Sequence, residues 1–299
     1  ILRFKGVNIS DSEEDGLYIA ILLHDIGHGP FSHAMEHSIV ENISHETISL
    51  KFMEALNIEF DGALDVAISM FKGDYNRKFF GQLISGQLDI DRSDYLKRDS
   101  FYTGVSEGNI NSERLISMMS VVNDELVIEE KGIYSIEKFL TARRLMYWQV
   151  YLHKTSLVAE QMITRILKRA KELTHKGVKL EASSALSFFL NNSTNSNNFE
   201  ISTLNQFSLL DDYDIMSALK SWQFHDDFVL SHLSEMILNR NLLKIKLRNK
   251  AFSSSKLEAV KKDVMLEYKL DTHEASYFVF HGHVDNLAYN PKQGGLKIL

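Results

Sequence analysis

The chain contains no cysteine. That absence removes disulfides, zinc ribbons, iron–sulfur clusters and thiol nucleophiles together, and leaves histidine and carboxylates as metal ligands. Proline is almost missing too, with two in 299 residues, so little interrupts helix formation. No stretch approaches the roughly 18 consecutive apolar residues of a membrane helix, and no signal-peptide pattern opens the chain. The expectation is a cytoplasmic protein with no membrane partner. Positive charge is not in excess either. The formal charge is −7, from 33 Lys and Arg against 40 Asp and Glu, so no overall basic field exists to hold a nucleic-acid backbone. A local basic pocket for a small phosphate ligand is compatible with this balance.

Apolar residues at helical spacing fill long windows, and the fold class that follows is mainly α. Leu2-Arg3-Phe4-Lys5-Gly6 reads as a helix end with a glycine cap; with Ile1 in place of Met, it predicts that an N-terminal segment is absent. Ser10 or Asp11, followed by Glu13 and Glu14, predicts a capped, acid-rich first turn leading into the apolar run Leu17 to Leu23, which should end near Gly27 to Pro30. Ser32, Ser44 and Asp61 precede further helical windows, and Gln82 to Asp99 reads as another helix. Residues 125–135 alternate and predict a short hairpin turning at Lys131-Gly132. One very long helical window runs from Ile136 to Leu173. Residues 191–198 are a polar low-complexity loop, and helix resumes over 211–243. Beyond Lys256, Leu266 to Leu270 and Tyr277 to Phe280, with turns at Asn290-Pro291 and Gly294-Gly295, predict a smaller α+β C-terminal region. The expected division is a core over 1–173 and a C-terminal region over 174–299. Trp148 and Trp222 read as core anchors.

Chemistry concentrates in two places. Five of the twelve histidines, His24, His28, His33, His37 and His45, fall within 22 residues. In the run Leu22-Leu23-His24-Asp25-Ile26-Gly27-His28-Gly29-Pro30-Phe31-Ser32-His33, an apolar helix delivers a His-Asp pair at its buried end. Burying imidazole and carboxylate together is costly unless a metal or partners satisfy them, and that donor pair suits Fe, Mn, Co, Ni or Zn. His28 follows His24 by four residues, so a continuing helix would place both on one face. Further on, Asp91, Tyr95 and Asp99 share one helical stripe, although a solvated acidic face alone would produce the same spacing. The remaining histidines read as ordinary surface or turn residues.

Three segments in order, His24 to His33, Ser44-His45-Glu46, and Asp91-Arg92-Ser93-Asp94-Tyr95-Leu96-Lys97-Arg98-Asp99, resemble the HD-domain phosphohydrolases. The resemblance is to the deoxynucleoside triphosphate triphosphohydrolase branch, over roughly residues 15 to 170. It implies an HD-domain helical bundle with His24, Asp25 and Asp91 as ligands of a divalent metal, for which Mg joins the candidates above. The family pattern also has an upstream histidine, and no histidine precedes His24 here. Truncation is the expected reason.

By the same resemblance, His28, His33 and His45 surround the α-phosphate, with His33 or His45 protonating the leaving nucleoside oxygen and Glu36 orienting such a histidine. Arg92 contacts phosphate, Tyr95 packs on the sugar, and Asp99 accepts from the 3′-hydroxyl. Arg143 binds the outer phosphates and Tyr151 lines the nucleoside pocket; eight residues apart, they can face one cavity if the helix is continuous. The implied reaction is attack of metal-bound water at the α-phosphorus of a dNTP, giving deoxynucleoside and inorganic triphosphate. The alternatives are another nucleotide phosphoester, or a non-catalytic nucleotide-sensing scaffold. The partners implied are a small-molecule nucleotide and further copies of the chain, as a dimer or tetramer.

Overall fold

The computed structural model describes residues 1–36, 38–196, 198–284 and 296–299, with the His33 side chain outside that set. The turns expected at Asn290-Pro291 and Gly294-Gly295 lie outside the described residues. In chain order the first helices are α1 (Asp11–Leu23), α2 (His33–Glu36), α3 (His45–Glu59), α4 (Asp65–Lys72), α5 (Lys78–Ile84), α6 (Ile90–Thr103) and α7 (Ser112–Met118). A hairpin of β1 (Met119–Val122) and β2 (Glu125–Ile128) follows, then α8 (Ile133–Met146) and α9 (Lys154–His175). The rest are α10 (Ser184–Asn191), α11 (Ile201–Phe207), α12 (Asp212–Trp222), α13 (Phe228–Leu238), α14 (Ser254–Tyr268) and α15 (Thr272–Ala275). The fold is mainly α, and no described helix is long and apolar enough to cross a membrane.

The chain forms two compact, interleaved units. The first comprises Ile1–Gly27, His45–His153 and the end of the chain to Leu299. Its core holds Ala20 of α1, Met53 of α3, Phe79 and Phe80 of α5, Leu96 of α6, and Phe139 and Met146 of α8, each essentially without exposure. Burying the Met, Leu and Phe side chains contributes roughly 1.5–3 kcal/mol each, which seats α6 firmly in this core. The start of α1 is a full capping box: Ser10 accepts from the Glu13 amide, and the Glu13 carboxylate accepts from the Ser10 amide. Glu13 is itself buried and also accepts from Tyr75 Oη at 3.0 Å and Arg77 Nη1 at 2.9 Å. The 3₁₀ turn Arg3–Lys5 closes at Gly6 as the sequence predicts.

The second unit comprises His28–Ser44 and Lys154–Val284. α9 is its central helix, with Met162, Ile166, Leu167 and Ala170 buried, and α2, α10 and α13 pack on it. Trp222 is buried and donates from Nε1 to the Glu181 carbonyl at 2.8 Å, a core anchor as expected. Arg169, also buried, is held by Asp227 at 2.5 and 3.1 Å and by Glu172 at 2.9 Å.

Four local expectations are corrected. The hairpin lies six residues earlier than its predicted alternation, with Met119 paired to Ile128 and Val122 to Glu125. Its turn is Asn123-Asp124, both left-handed, a conformation these two residue types tolerate; Gly132 instead leads into α8. The long window from Ile136 to Leu173 is two helices, because Tyr147–Tyr151 is a π-helical segment followed by a break at Leu152-His153. Trp148, on that segment, is 55% exposed and anchors nothing. Among the described residues, Leu266 to Phe280 supplies helix and turn with no strand.

Candidate metal centre and its surroundings

α1 ends at Leu23, so His24 caps it and Asp25 to Gly27 form a turn. The helix therefore stops before His28, and the four-residue spacing from His24 carries no shared helical face. His24 Nδ1 donates to the Ile21 carbonyl at 2.7 Å. This bond sets the tautomer and aims Nε2 at the carboxylates. Nε2 lies 3.3 Å from Asp25 Oδ2 and 3.7 Å from Asp91 Oδ2. One ligand atom from each of the three side chains falls within 4.8 Å of the others. The neighbouring Asp91 carboxylate pushes the His24 imidazole up to about 9, against the opposite effect of burial. The imidazole and the two carboxylates converge where a divalent cation would be held. One borderline nitrogen with two hard oxygens fits such a cation.

The turn after Asp25 is held from the first unit's own side. Gly27 N–H donates to Ser49 Oγ of α3 at 2.9 Å, and a Cβ on Gly27 would collide with the His45 carbonyl and the Ser49 amide. Only glycine allows this approach. Its effect is to bring the first turn of α3 against the turn, and Asp25 and His45 offer ligand atoms within 4.8 Å of one another. His45 Nε2 lies 3.4 Å from Glu46 Oε1.

On α6, Asp91, Tyr95 and Asp99 share a face as the spacing predicts. Tyr95 is pushed up to about 12 by burial, and its ring meets that of Tyr151 edge-on at 5.9 Å. Tyr151 Oη donates to Asp99 Oδ2 at 2.7 Å. Burial and that carboxylate both push the phenol further up, so it stays a donor. Tyr147 packs edge-on against Tyr151 at 5.3 Å. The π-helical turn therefore aims two tyrosines toward α6, as π-bulges at functional sites often re-aim side chains. Arg143 is 3% exposed, with its guanidinium carbon 6.0 Å from the Tyr147 ring.

Sequence reasoning missed Asp89. It is 1% exposed, caps α6 through the Arg92 amide at 2.7 Å, and accepts from the Gly86 amide at 3.1 Å and from Arg92 Nη1. Burial pushes its carboxyl up to about 6, opposed by Arg92. Arg92 Nη1 also donates to the Gly86 carbonyl at 2.7 Å, while its buried Nε meets no acceptor among the described residues. The available signal was Asp immediately before a helical run, three residues from an arginine. In the second unit, His28 is partly buried, and Glu36 lines a polar cavity of about 650 Å³ with Lys168, Lys171 and His175. The side chain of His33 falls outside the described residues.

Residues 5–99 match the HD domain and residues 110–187 the HD associated region. The chain superposes with a TM-score of 0.95 on the crystal structure of a phosphohydrolase from Bacteroides thetaiotaomicron, at 51% identity over all of this chain and 74% of that one. It is 35% identical to the YwfO protein of Bacillus subtilis over 80% of this chain, spanning 55% of that relative's length. It is also 30% identical to the Dictyostelium discoideum homolog of the deoxynucleoside triphosphate triphosphohydrolase SAMHD1, over 58% of this chain and 37% of that protein. The chain belongs to the HD-domain phosphohydrolases.

Proposed function

We propose that this phosphohydrolase cleaves dNTPs to deoxynucleoside and inorganic triphosphate within a core spanning residues 1–173. The observation that carries the reading is the sequence of groups on α6: Asp91 beside His24, then Tyr95, then Asp99 bonded to Tyr151. A carboxylate of the metal set, an aromatic wall and a hydroxyl acceptor follow one another on a single rigid helix. His24, Asp25 and Asp91 would hold the cation. A divalent cation bound there supplies Lewis acidity, polarising a phosphoryl oxygen and acidifying water.

The protein's own groups do the rest. Tyr95 presents a ring to the sugar, where a 2′-hydroxyl would find little space. Asp99 has one oxygen occupied by Tyr151, and its other oxygen, Oδ1, accepts from the 3′-hydroxyl. Arg92 and Arg143 neutralise phosphate charge as it redistributes. Asp89 and the Gly86 carbonyl hold Arg92 Nη1, which leaves Nη2 as the nitrogen that would reach phosphate. In the cleavage, a water oxygen bonds to the α-phosphorus and the bond from phosphorus to O5′ breaks. O5′ takes a proton from His33 or His45, with His28 at the α-phosphate and Glu36 orienting the acid.

The test is incubation of the full-length protein with Mn²⁺ and each dNTP, with products resolved by anion exchange. Deoxynucleoside and triphosphate in equal amounts support the proposal. Turnover of a different phosphoester would move the reading to that substrate, and nucleotide binding with no turnover would make the protein a sensor.

A further inference from the structure

The loop from His28 to His33 contains two consecutive non-glycine residues in the left-handed region, Phe31 at φ 53° and Ser32 at φ 48°. L-residues take that conformation at a cost, and consecutive ones are uncommon. Such a loop needs holding from outside. Part of the support is internal, since Ser32 N–H donates to the Gly29 carbonyl at 3.0 Å and Ala34 N–H to the Phe31 carbonyl at 3.1 Å. The Phe31 amide, between them, points outward and donates to Asp212 Oδ1 at 3.0 Å, across 181 residues of sequence.

Asp212 is the first residue of α12, yet that helix does not use its side chain. Asp211 caps α12 by accepting from the Tyr213 and Asp214 amides at 2.8 and 3.2 Å, and Asp214 returns the bond to the Asp211 amide at 2.8 Å. The Asp212 carboxylate is therefore spare, and the positive end of the helix favours its charge. α12 is a fixed post, with Ile215, Leu219 and Trp222 buried. The neighbouring α11 closes on the same loop: a Cβ on Gly29 would sit 2.8 Å from Met35 Sδ and 3.2 Å from the Phe207 ring.

We propose that Asp212 is a positioning residue for phosphate hydrolysis, holding the strained His28–His33 loop by accepting the Phe31 amide proton so that His28 is presented in one fixed arrangement. This rests on the function proposed above. It assigns part of the active-site geometry to α12, outside the motif segments. Two variants separate the acceptor from the charge: Asp212→Ala removes both, and Asp212→Asn keeps Oδ1 as an acceptor. Asp212 is exposed, so neither change disturbs the core.

For Asp212→Ala, kcat on dNTP should fall about tenfold, the scale of losing one charge-assisted hydrogen bond in a preorganised site. KM and bound Mn²⁺ should stay as in the wild type, the melting temperature should fall by no more than about 2 °C, and Asp212→Asn should restore most of kcat. In parallel, hydrogen exchange read at the Phe31 amide should be slow in the wild type and in Asp212→Asn and fast in Asp212→Ala. Unchanged kcat in Asp212→Ala, or equal loss in Asp212→Asn, overturns the proposal. If the wild type releases nothing from dNTPs, the function reading fails by itself. Exchange at Phe31 then decides the loop, and an unprotected wild-type amide overturns the anchor.

Discussion

Replacing Asp89 by alanine tests whether the helix that carries Asp91, Tyr95 and Asp99 is set by a buried ion pair. The change removes an N-cap, which costs about 1 kcal/mol. It also leaves the Arg92 guanidinium without its counter-charge. Breaking a fully buried pair costs roughly 3–5 kcal/mol, and a quarter of the Arg92 side chain remains exposed, so the pair's share falls at or below the lower end of that range. The sum is about 3–4 kcal/mol. With an unfolding entropy of about 2.1 cal/mol/K per residue, a chain of this length should melt about 5–6 °C lower, read by circular dichroism. Arg92→Met alone strands the Asp89 carboxylate in the same way. The double variant Asp89→Ala/Arg92→Met leaves neither charge stranded and should lose less than the two single losses combined. A single Asp89→Ala variant melting within a degree of the wild type, or strict additivity in the double, would refute the reasoning.

Other perturbations follow from the same geometry. Asp91→Ala should abolish metal-dependent hydrolysis while far-UV circular dichroism stays largely intact; equal turnover by the variant would remove Asp91 from the metal set. Because the His24 imidazolium must lose its proton to ligate, and the neighbouring Asp91 carboxylate holds it up to about 9, Mn²⁺ affinity should rise by about tenfold per pH unit between pH 6 and 8. Calorimetry should register proton release on binding, and a pH-independent affinity would contradict this. Burial tends to raise the Glu13 carboxyl, but its bonds from the Ser10 amide, Arg77 and Tyr75 leave it below its ordinary 4.5. A depressed carboxyl contributes stability above that value and loses it as pH falls. The melting temperature of the wild type should therefore drop more steeply below about pH 4.5 than that of Glu13→Gln; parallel curves would discount the network.

Much of the site was legible because it is local in sequence. The capping box at Ser10 and Glu13, the His-Asp pair at the end of an apolar helix, and the Asp91, Tyr95, Asp99 stripe each follow from residue type and spacing. What escaped depends on dihedrals or on distant packing. Continuous apolar periodicity over Ile136 to Leu173 cannot reveal that one turn is π-helical, yet that turn is what brings Tyr151 to Asp99. Asp89 looked like one acid among several, and only its burial shows that it binds Arg92. The hairpin was displaced because Lys131-Gly132 is the stronger turn signal by composition, whereas Asn123-Asp124 takes the left-handed pair that a tight hairpin requires. Nor does spacing disclose that residues 28–44 pack with 154–284 in a single unit.

The most direct test of the proposed reaction is to run it with Mn²⁺ and a dNTP in ¹⁸O-labelled water and weigh both products. Attack at the α-phosphorus predicts unlabelled deoxynucleoside and inorganic triphosphate carrying one ¹⁸O. Label in the deoxynucleoside, or pyrophosphate or orthophosphate in place of triphosphate, would contradict it.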